Sequence, residues 1–509
     1  MLAPMLSVQQ IVTWLQGVAP AGANLTADSR DVQAGDIFFA YSGEHTDGRC
    51  YIADAVERGA AAVIYEEVGF EWDGRFVLPH VGVTGLKRLA GFVANAYYQQ
   101  PDKDMFTVAI TGTNGKTSCA YWLGMALQEA AAPAAVIGTL GIGMFRDGKS
   151  CTFDTTGYTT PDAVLLQRRL AGLRAAHASV LAIEASSIGL DQGRMNGLHV
   201  DVALFTNFTR DHLDYHGDMI AYETAKTRLF DVPGLRHAVI NLDDQMGQRL
   251  IPDVQARNIP VIAYSITASP TPVVAGDVPV LRASAIRSTN IGTSFHIASP
   301  FGVGQVKTQL VGPFNVSNVL GILGVLLAKG MDWDAALGAI ATLTAAPGRM
   351  QQFGGQEVPL IVIDYAHTPD ALEKTLIALR QVASQRGGAL WCVFGCGGDR
   401  DSGKRPEMGA VSELADHVIL TSDNPRSEDP DVIILHIQSG MTRIVPHVMV
   451  DRATAILWAV RHALKQDVVL LAGKGHETCQ EIGGRKYPFL DADHVALAMV
   501  ARVTMMGGA

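Results

Sequence analysis

The run Thr111-Gly112-Thr113-Asn114-Gly115-Lys116-Thr117-Ser118 gathers the groups that a triphosphate needs. Gly112 and Gly115 let backbone N–H groups approach phosphate oxygens closely. Lys116 supplies a point charge, Thr117 a hydroxyl for Mg²⁺, and the helix that follows its positive end. A full Walker loop would place glycine where Ile110 stands, and a plain glycine turn is the alternative use of these residues. An apolar strand before the run and a helix after it, together with Gly-Lys-Thr, favour a nucleotide. Two further segments offer ligands for its metal. SVLAIEASS ends in Glu184, and FTNFTRDHLDYHGD carries Asp211, His212, Asp214 and His216. Carboxylate suits a hard cation well and imidazole less so. Asp211 and Asp214 could equally cap the helix that starts there, and His212 could make a structural hydrogen bond instead of ligating. No guanine-reading Asn-Lys-x-Asp accompanies the loop, which argues against a GTPase switch.

The elements that would position these groups fall into three blocks. Residues 1–103 mix short strand signals (DIFFAYSG, AAAVIYE) with helical stretches and end in the polar linker YYQQPDKD. In residues 104–346 strands FTVAIT, SVLAIEA, DVALFTN and HAVINLD alternate with helical segments such as 163–176. That alternation predicts a mostly parallel sheet with helices on both faces. The segment AAPGRM then breaks any helix and offers a hinge. In residues 347–509, PLIVIDYAH, ALWCVFGCGG, HVILTSDNPR, PHVMVDR and DVVLLAGKGHE each end in a polar or glycine cluster. Ligands of doubly wound sheets sit at the carboxyl ends of the strands, so five loops on one edge become candidates. The expected fold class is therefore α/β: three domains, with a central P-loop-type sheet and a C-terminal Rossmann-like one.

Bulk properties agree. The 509 residues exceed one hydrophobic core, and at roughly 150 residues per domain three is the natural count. With 40 Lys and Arg against 50 Asp and Glu the formal charge is −10, a poor basis for a nucleic-acid coat. No apolar run reaches the roughly 18 residues that span a bilayer. The apolar N-terminus has no Lys or Arg before Arg30, unlike a secretory signal, and the six cysteines form no CxxC pair. Reduced thiols and a cytoplasmic location are expected.

Gly-Thr-Asn-Gly-Lys-Thr-Ser resembles the ATP loop of Mur ligases and folylpolyglutamate synthetases. The likeness continues through Thr159-Thr160-Pro161, Glu184-Ala185-Ser186-Ser187, RDHLDYHGDM, Lys226, NLDD, GPFNVSN, PGRM, DYAHTPDALE, GCGGDRD, DNPRSEDP and GKGHE. This series spans most of the chain and is similar to the MurE type of the Mur ligase family, which adds the third residue to UDP-N-acetylmuramoyl-L-alanyl-D-glutamate. The resemblance implies an ATP-dependent amide ligase working through an acyl phosphate. It implies catalytic roles for Lys116, Lys226, His212 and Arg349, the last reaching the phosphates from PGRM. Lys226 corresponds to a lysine carbamylated by CO₂, which with Thr117, Glu184 and His212 would hold Mg²⁺; an exposed helix lysine is the alternative. Carbamylation requires an uncharged amine. ATP would contact Gly112 to Ser118 (Thr113 and Asn114 included), and also Asn315, Asn318, Asp364 and His367. The two asparagines could instead cap the helix after GPF.

The same resemblance assigns Ser29, Thr159, Thr160, Ser186, Gln192 and Arg194 to the UDP-muramyl dipeptide, although Ser186 could simply cap a helix. It assigns Arg400, Asp423, Asn424, Pro425, Arg426, Gly473 and Glu477 to meso-diaminopimelate. Arginine can grip the second carboxylate bidentately, and Arg426 is the expected reader, with pairing to Glu428 as its alternative. Glu477 suits an ammonium. Ile188, Gln351 and the segment GEHTDGR depart from the family pattern, which leaves His45 and Thr46 weak substrate contacts. A monomer is expected. An L-lysine-adding ligase of the same family, more distantly a folylpolyglutamate synthetase, and a nucleotide-binding scaffold without catalysis are the competing functions.

Overall fold

The computed structural model describes residues 6–43, 46–128, 132–150, 152–267, 278–289 and 291–506, so His45 and Cys151 lie outside the described residues. The chain forms two compact units. One comprises Met1–Thr111, Leu123–Ala203 and Thr224–His237; the other comprises Gly112–Trp122, Leu204–Glu223 and Ala238–Ala509.

The first unit opens with a parallel four-stranded sheet, Leu25–Thr26, Ile37–Ala40, Ala62–Glu66 and His80–Val83 in that order. The run Ile37-Phe38-Phe39-Ala40 is buried throughout, because successive side chains of a strand point to opposite faces and both faces are covered. Ile37 and Phe39 pack with Ile11, Leu15 and Leu86 from the helices Val8–Val18 and Leu86–Tyr97. Phe38 and Ala40 pack with Ile52, Ala55 and Val63 on the other side. Strands Phe106–Thr111, Val180–Glu184 and Ala134–Gly138 form a second parallel set, extended antiparallel by Gly141–Arg146 and Lys149–Ser150. YYQQPDKD is anchored, unlike a loose linker. Asp102 is 2% exposed and accepts hydrogen bonds from Asn95 Nδ2 (2.8 Å) and the His199 N–H (2.5 Å).

In the second unit, His237–Asn241, Val261–Ser265 and Val280–Thr289 run parallel, and Gly292–Ser299 and Gly302–Thr308 continue as an antiparallel meander. Its six-stranded sheet has the order Gln351–Gly354, Leu360–Asp364, Val468–Ala472, Leu390–Phe394, His417–Leu420, His447–Val448. All neighbours are parallel except the first pair. Alternate residues again face two cores. Val362, Cys392, Phe394 and Leu470 pack with Leu372, Leu376 and Met408, whereas Ile363, Val393 and Leu471 pack with Ile456, Ala459 and Val495. Five carboxyl ends, after Asp364, Phe394, Leu420, Val448 and Ala472, therefore share one edge, as the run pattern predicts.

Candidate active site

The phosphate loop lies between the strand Phe106–Thr111 and the helix Lys116–Leu127. Ile110 is fully buried inside the strand, so the turn begins later than in a full Walker loop. The segment after strand Val202–Phe205 clasps the loop. The Thr113 N–H donates to Asn207 O (2.8 Å), the Asn114 N–H to Asn207 Oδ1 (2.9 Å), and Thr206 Oγ1 to Asn114 O (2.7 Å). Glycine is required twice. Gly112 has φ 143° and a Cβ there would collide with Thr206 Oγ1; Gly115 has φ 89° and a Cβ there would sit 2.7 Å from Asn318 Oδ1. Lys116 Nζ donates to Gly112 O and Thr113 O, both at 2.9 Å, which holds the ammonium over the loop crown. Asn114 Nδ2 donates to Asp370 Oδ2 (3.1 Å) at the start of helix Pro369–Arg386.

Arg349 reaches the same loop. Its Nη2 donates to Thr117 Oγ1 (3.1 Å), its guanidinium lies 4.3 Å from the centre of the Tyr365 ring, and Nη1 is 3.5 Å from His476 Nδ1. PGRM is packed: Ala346 and Met350 are buried, and the Gly348 N–H donates to Gln351 Oε1. Asp364 takes the Met350 and Ala366 N–H groups (2.8 and 2.9 Å); burial pushes its carboxyl up, against the pull of Arg349. His367 bonds Tyr365 O through Nδ1 (2.7 Å), and burial with Lys404 nearby pushes the imidazole down to about 4.

Asn315 and Asn318 do not cap their helix. Helix Pro313–Ala328 contains both, and its N-cap is Gly312 without a side-chain bond. Asn315 Nδ2 donates one turn back to Val311 O (2.8 Å), while Asn318 packs on Gly115. Nor do Asp211 or Asp214 cap Leu213–His216, whose N-cap is His212 at φ 54°. Burial raises the Asp211 carboxyl, but His212, His367 and Lys404 outweigh it and hold it at about 2. The His212 Nε2 is 3.5 Å from Asp211 Oδ2.

The first unit holds the other expected metal ligands. Glu184 is 1% exposed and accepts the Thr139 N–H (2.8 Å) and Oγ1–H (3.1 Å). Lys226, on helix Met219–Thr227, is 1% exposed, so the exposed-lysine alternative fails. Among the described residues no three His, Cys, Asp or Glu side chains converge as a ready metal cage. Within this unit the Glu184 carboxylate is an oxygen donor of the kind a hard cation takes, and a carbamate on Lys226 would be another. By donor type these two oxygen ligands suit Mg²⁺.

The same unit gathers Thr159, Thr160, Ser186, Gln192 and Arg194. Arg194 donates through Nε and Nη2 to Gln192 Oε1 (2.9 and 2.7 Å) and through Nη1 to Thr160 O (2.9 Å), with Tyr158 stacked 4.8 Å away. Thr160 Oγ1 donates to Glu184 O (2.7 Å) and meets Ser186 Oγ at 2.9 Å. Ser186 does cap Ser187–Asp191, accepting the Gly189 N–H. Thr159 Oγ1 lies 3.2 Å from Thr139 Oγ1. Ser29 is 7% exposed in a turn capped by Asp28.

A second site of the other unit lies at the sheet edge around Asp423-Asn424-Pro425-Arg426. Arg426 has φ 51°, donates through Nη1 to Gly398 O (2.7 Å), and its Nε is 3.5 Å from Glu481 Oε2. Its alternative partner Glu428 is taken: Arg405, 1% exposed, grips it bidentately at 2.9 and 2.8 Å. Arg400 is more than half exposed, 3.9 Å from Asp214. Gly473 has φ 107°, and a Cβ there would lie 2.5 Å from Asp423 Oδ2. Asn424 Nδ2 donates to Glu477 Oε2 (2.7 Å). Sequence reasoning missed Thr206, Asn207, Thr139 and Lys474, which hold these sites from beneath. Lys474 had a signal inside GKGHE, and Thr206 and Asn207 had one at the start of FTNFTRDHLDYHGD, whereas Thr139 had none.

Comparison with known proteins finds three matched segments. The Mur ligase middle domain matches residues 110–326, the Mur ligase glutamate ligase domain residues 348–475, and the Mur ligase family catalytic domain residues 23–87. UDP-N-acetylmuramoyl-L-alanyl-D-glutamate–2,6-diaminopimelate ligase of Janthinobacterium sp. (strain Marseille) is 61% identical over 499 residues, covering 98% of each chain. This chain belongs to the Mur ligase family. The like-named ligase of Ralstonia nicotianae is 50% identical and covers 97% of this chain and 96% of its own. A solved structure of a ligase with that name superposes with TM-score 0.64 at 36% identity, covering 94% of this chain and 95% of its own. Folylpolyglutamate synthase of Mycobacterium tuberculosis shares the Mur ligase fold alone, with TM-score 0.59, 19% identity and 76% of this chain covered. Among the described residues no helix is long and apolar enough to cross a membrane.

Proposed function

We propose that this Mur ligase joins meso-diaminopimelate to UDP-N-acetylmuramoyl-L-alanyl-D-glutamate at the expense of ATP, in peptidoglycan precursor synthesis. The observation that carries the phosphoryl chemistry is the meeting of Lys116 and Arg349 at one loop, Arg349 bonding Thr117 itself. A carboxylate resists amine attack because oxide is a poor leaving group. Transfer of the γ-phosphoryl to the D-glutamyl carboxylate makes an acyl phosphate, which the incoming amine then attacks. Little covalent work falls to the protein, so positioning and charge stabilisation dominate. Lys116 and Arg349 meet the negative charge of the transferring group from two sides of the loop. Mg²⁺, held by Thr117, Glu184, His212 and carbamylated Lys226, would neutralise further phosphate charge.

The adenosine end falls to Asn315, Asn318, Asp364 and His367. The dipeptide precursor falls to Ser29, Thr159, Thr160, Ser186, Gln192 and Arg194, where a cation and hydroxyls suit a polyanionic substrate. Arg426, supported by Arg400, Asp423, Asn424, Pro425, Gly473 and Glu477, reads diaminopimelate. We assign residues 1–103 to the precursor, 104–346 to ATP and 347–509 to the amino acid, in a cytoplasmic monomer. The test is phosphate release from ATP, Mg²⁺ and UDP-muramyl dipeptide with either amino acid. Release with diaminopimelate is expected, and release with neither amino acid rejects the reading.

A further inference from the structure

Lys474 is 0% exposed, and a fully buried ammonium is costly unless each of its protons finds an acceptor. Its Nζ donates to Asn424 Oδ1 (3.1 Å), Glu477 Oε2 (3.0 Å) and Cys479 O (2.7 Å). An ammonium has three donors and no acceptor, so none is left for a substrate. Two of the three acceptors belong to side chains assigned above to the amino acid. The third begins the hairpin Cys479–Ile482 and Arg485–Pro488.

That hairpin leads on to the arginine. The Glu481 N–H donates to Asn424 Oδ1 (3.0 Å), the Arg426 N–H to Glu481 O (3.0 Å), and the Gly483 N–H to Arg426 O (2.7 Å). With Lys474 and the Glu481 N–H both donating to one atom of Asn424, that atom is the oxygen. The amide nitrogen then points at Glu477 in a single orientation. Glu477 in turn has one oxygen occupied by Lys474 and Asn424 and offers the other. Charge balance runs the same way. Asp423 is buried with Glu477 acting on it, and Lys474 and Arg452 are the cations that offset the two carboxylates.

We propose that Lys474 is a positioning residue that fixes Asn424, Glu477 and, through the hairpin, Arg426 as one rigid reading set for the amino acid. It touches none of the substrate and works only through the groups that do. This inference rests on the ligase reading above and extends it to the source of amino-acid selectivity.

The test uses full-length Lys474→Met, which keeps the aliphatic stem and removes the charge and donors. Loss of a hydrogen bond to a charged group costs about 1.5–3 kcal/mol, or roughly ten- to a hundredfold. The KM for diaminopimelate should rise by that factor, while the KM values for ATP and UDP-muramyl dipeptide stay within about twofold, the scale of a neutral change. Lys474→Arg should not restore it, because a planar fork cannot reach three acceptors arranged around a point charge. An unmoved diaminopimelate KM, an equal rise for all three substrates, or full activity in Lys474→Arg overturns the proposal.

If Lys474→Met does not fold, Lys474→Met/Glu477→Leu removes both charges together and leaves neither alone in the interior. Its diaminopimelate KM should then exceed that of Glu477→Leu alone by less than about tenfold, since contacting residues couple. A further rise of about tenfold or more overturns the proposal. The unaltered chain separates the two claims. Absence of amino-acid-dependent phosphate release in it fails the ligase reading, whereas release in it together with any of the overturning variant results fails only the role of Lys474.

Discussion

The glycine loop and the proposed amino-acid pocket are built by opposite means. The loop is a main-chain site, shaped by consecutive residues whose carbonyls and N–H groups are fixed by Thr206, Asn207 and Lys116. The pocket is a side-chain site, in which Asn424 and Arg426 after one strand, Glu477 after another and Glu481 in the hairpin are tied by a buried lysine. A main-chain site serves any triphosphate and needs few residue types. A side-chain site can tell one amino acid from another, and depends on every member of its network.

Substitutions should separate the two. The largest effect is expected for Lys116→Ala, which removes the cation proposed to face the transferring phosphate. By analogy with loss of one transition-state donor, kcat should fall about 10²–10³-fold or more with diaminopimelate KM little changed, measured as phosphate release. Arg426→Ala should do the reverse. The diaminopimelate KM should rise roughly ten- to a hundredfold, with the KM for ATP unmoved, since a charge-assisted bond is lost. Unchanged diaminopimelate kinetics would remove Arg426 from the pocket. Gly115→Ala tests the main-chain character of the loop. A left-handed backbone costs a Cβ-bearing residue about 1–2 kcal/mol, and Asn318 leaves no room, so ATP affinity by calorimetry should drop roughly tenfold.

How legible each site is in the sequence follows from the same difference. The loop is contiguous, so Gly112, Gly115, Lys116 and Thr117 can be read directly, and apolar runs such as 360–364 and 468–472 place their strands because buried parallel strands are continuously apolar. The clasp by Asn207 is not readable, since it depends on which strand end lies beside the loop. Asn315 and Asp211 were open to a capping role that only the helix bounds could exclude. Arg426 was open to pairing with Glu428, and nothing local reveals that buried Arg405 takes that carboxylate. Lys474 is a single letter in GKGHE until three acceptors converge on it.

The smallest effect distinguishes both sites from the scaffold that carries them. Burial raises the Glu413 carboxyl, but N–H groups of Arg443, Ile444 and Thr442 outweigh it and hold it at about 2. A folded value below the unfolded one of 4.5 contributes stability that is fully present above that pH and lost as pH falls through about 2. Glu413→Gln should therefore lower Tm at neutral pH and converge with the unaltered chain near pH 2, with KM values for all substrates unchanged. A Tm difference that persists undiminished at pH 2 would contradict this.

The most direct measurement is phosphate release by the unaltered protein with ATP, Mg²⁺ and UDP-N-acetylmuramoyl-L-alanyl-D-glutamate, comparing meso-diaminopimelate with L-lysine. A loop that moves phosphate and a pocket that reads a second carboxylate predict rapid release with diaminopimelate and little with lysine. Equal release with both, or faster release with lysine, would contradict the pocket, and release with neither would contradict the whole account.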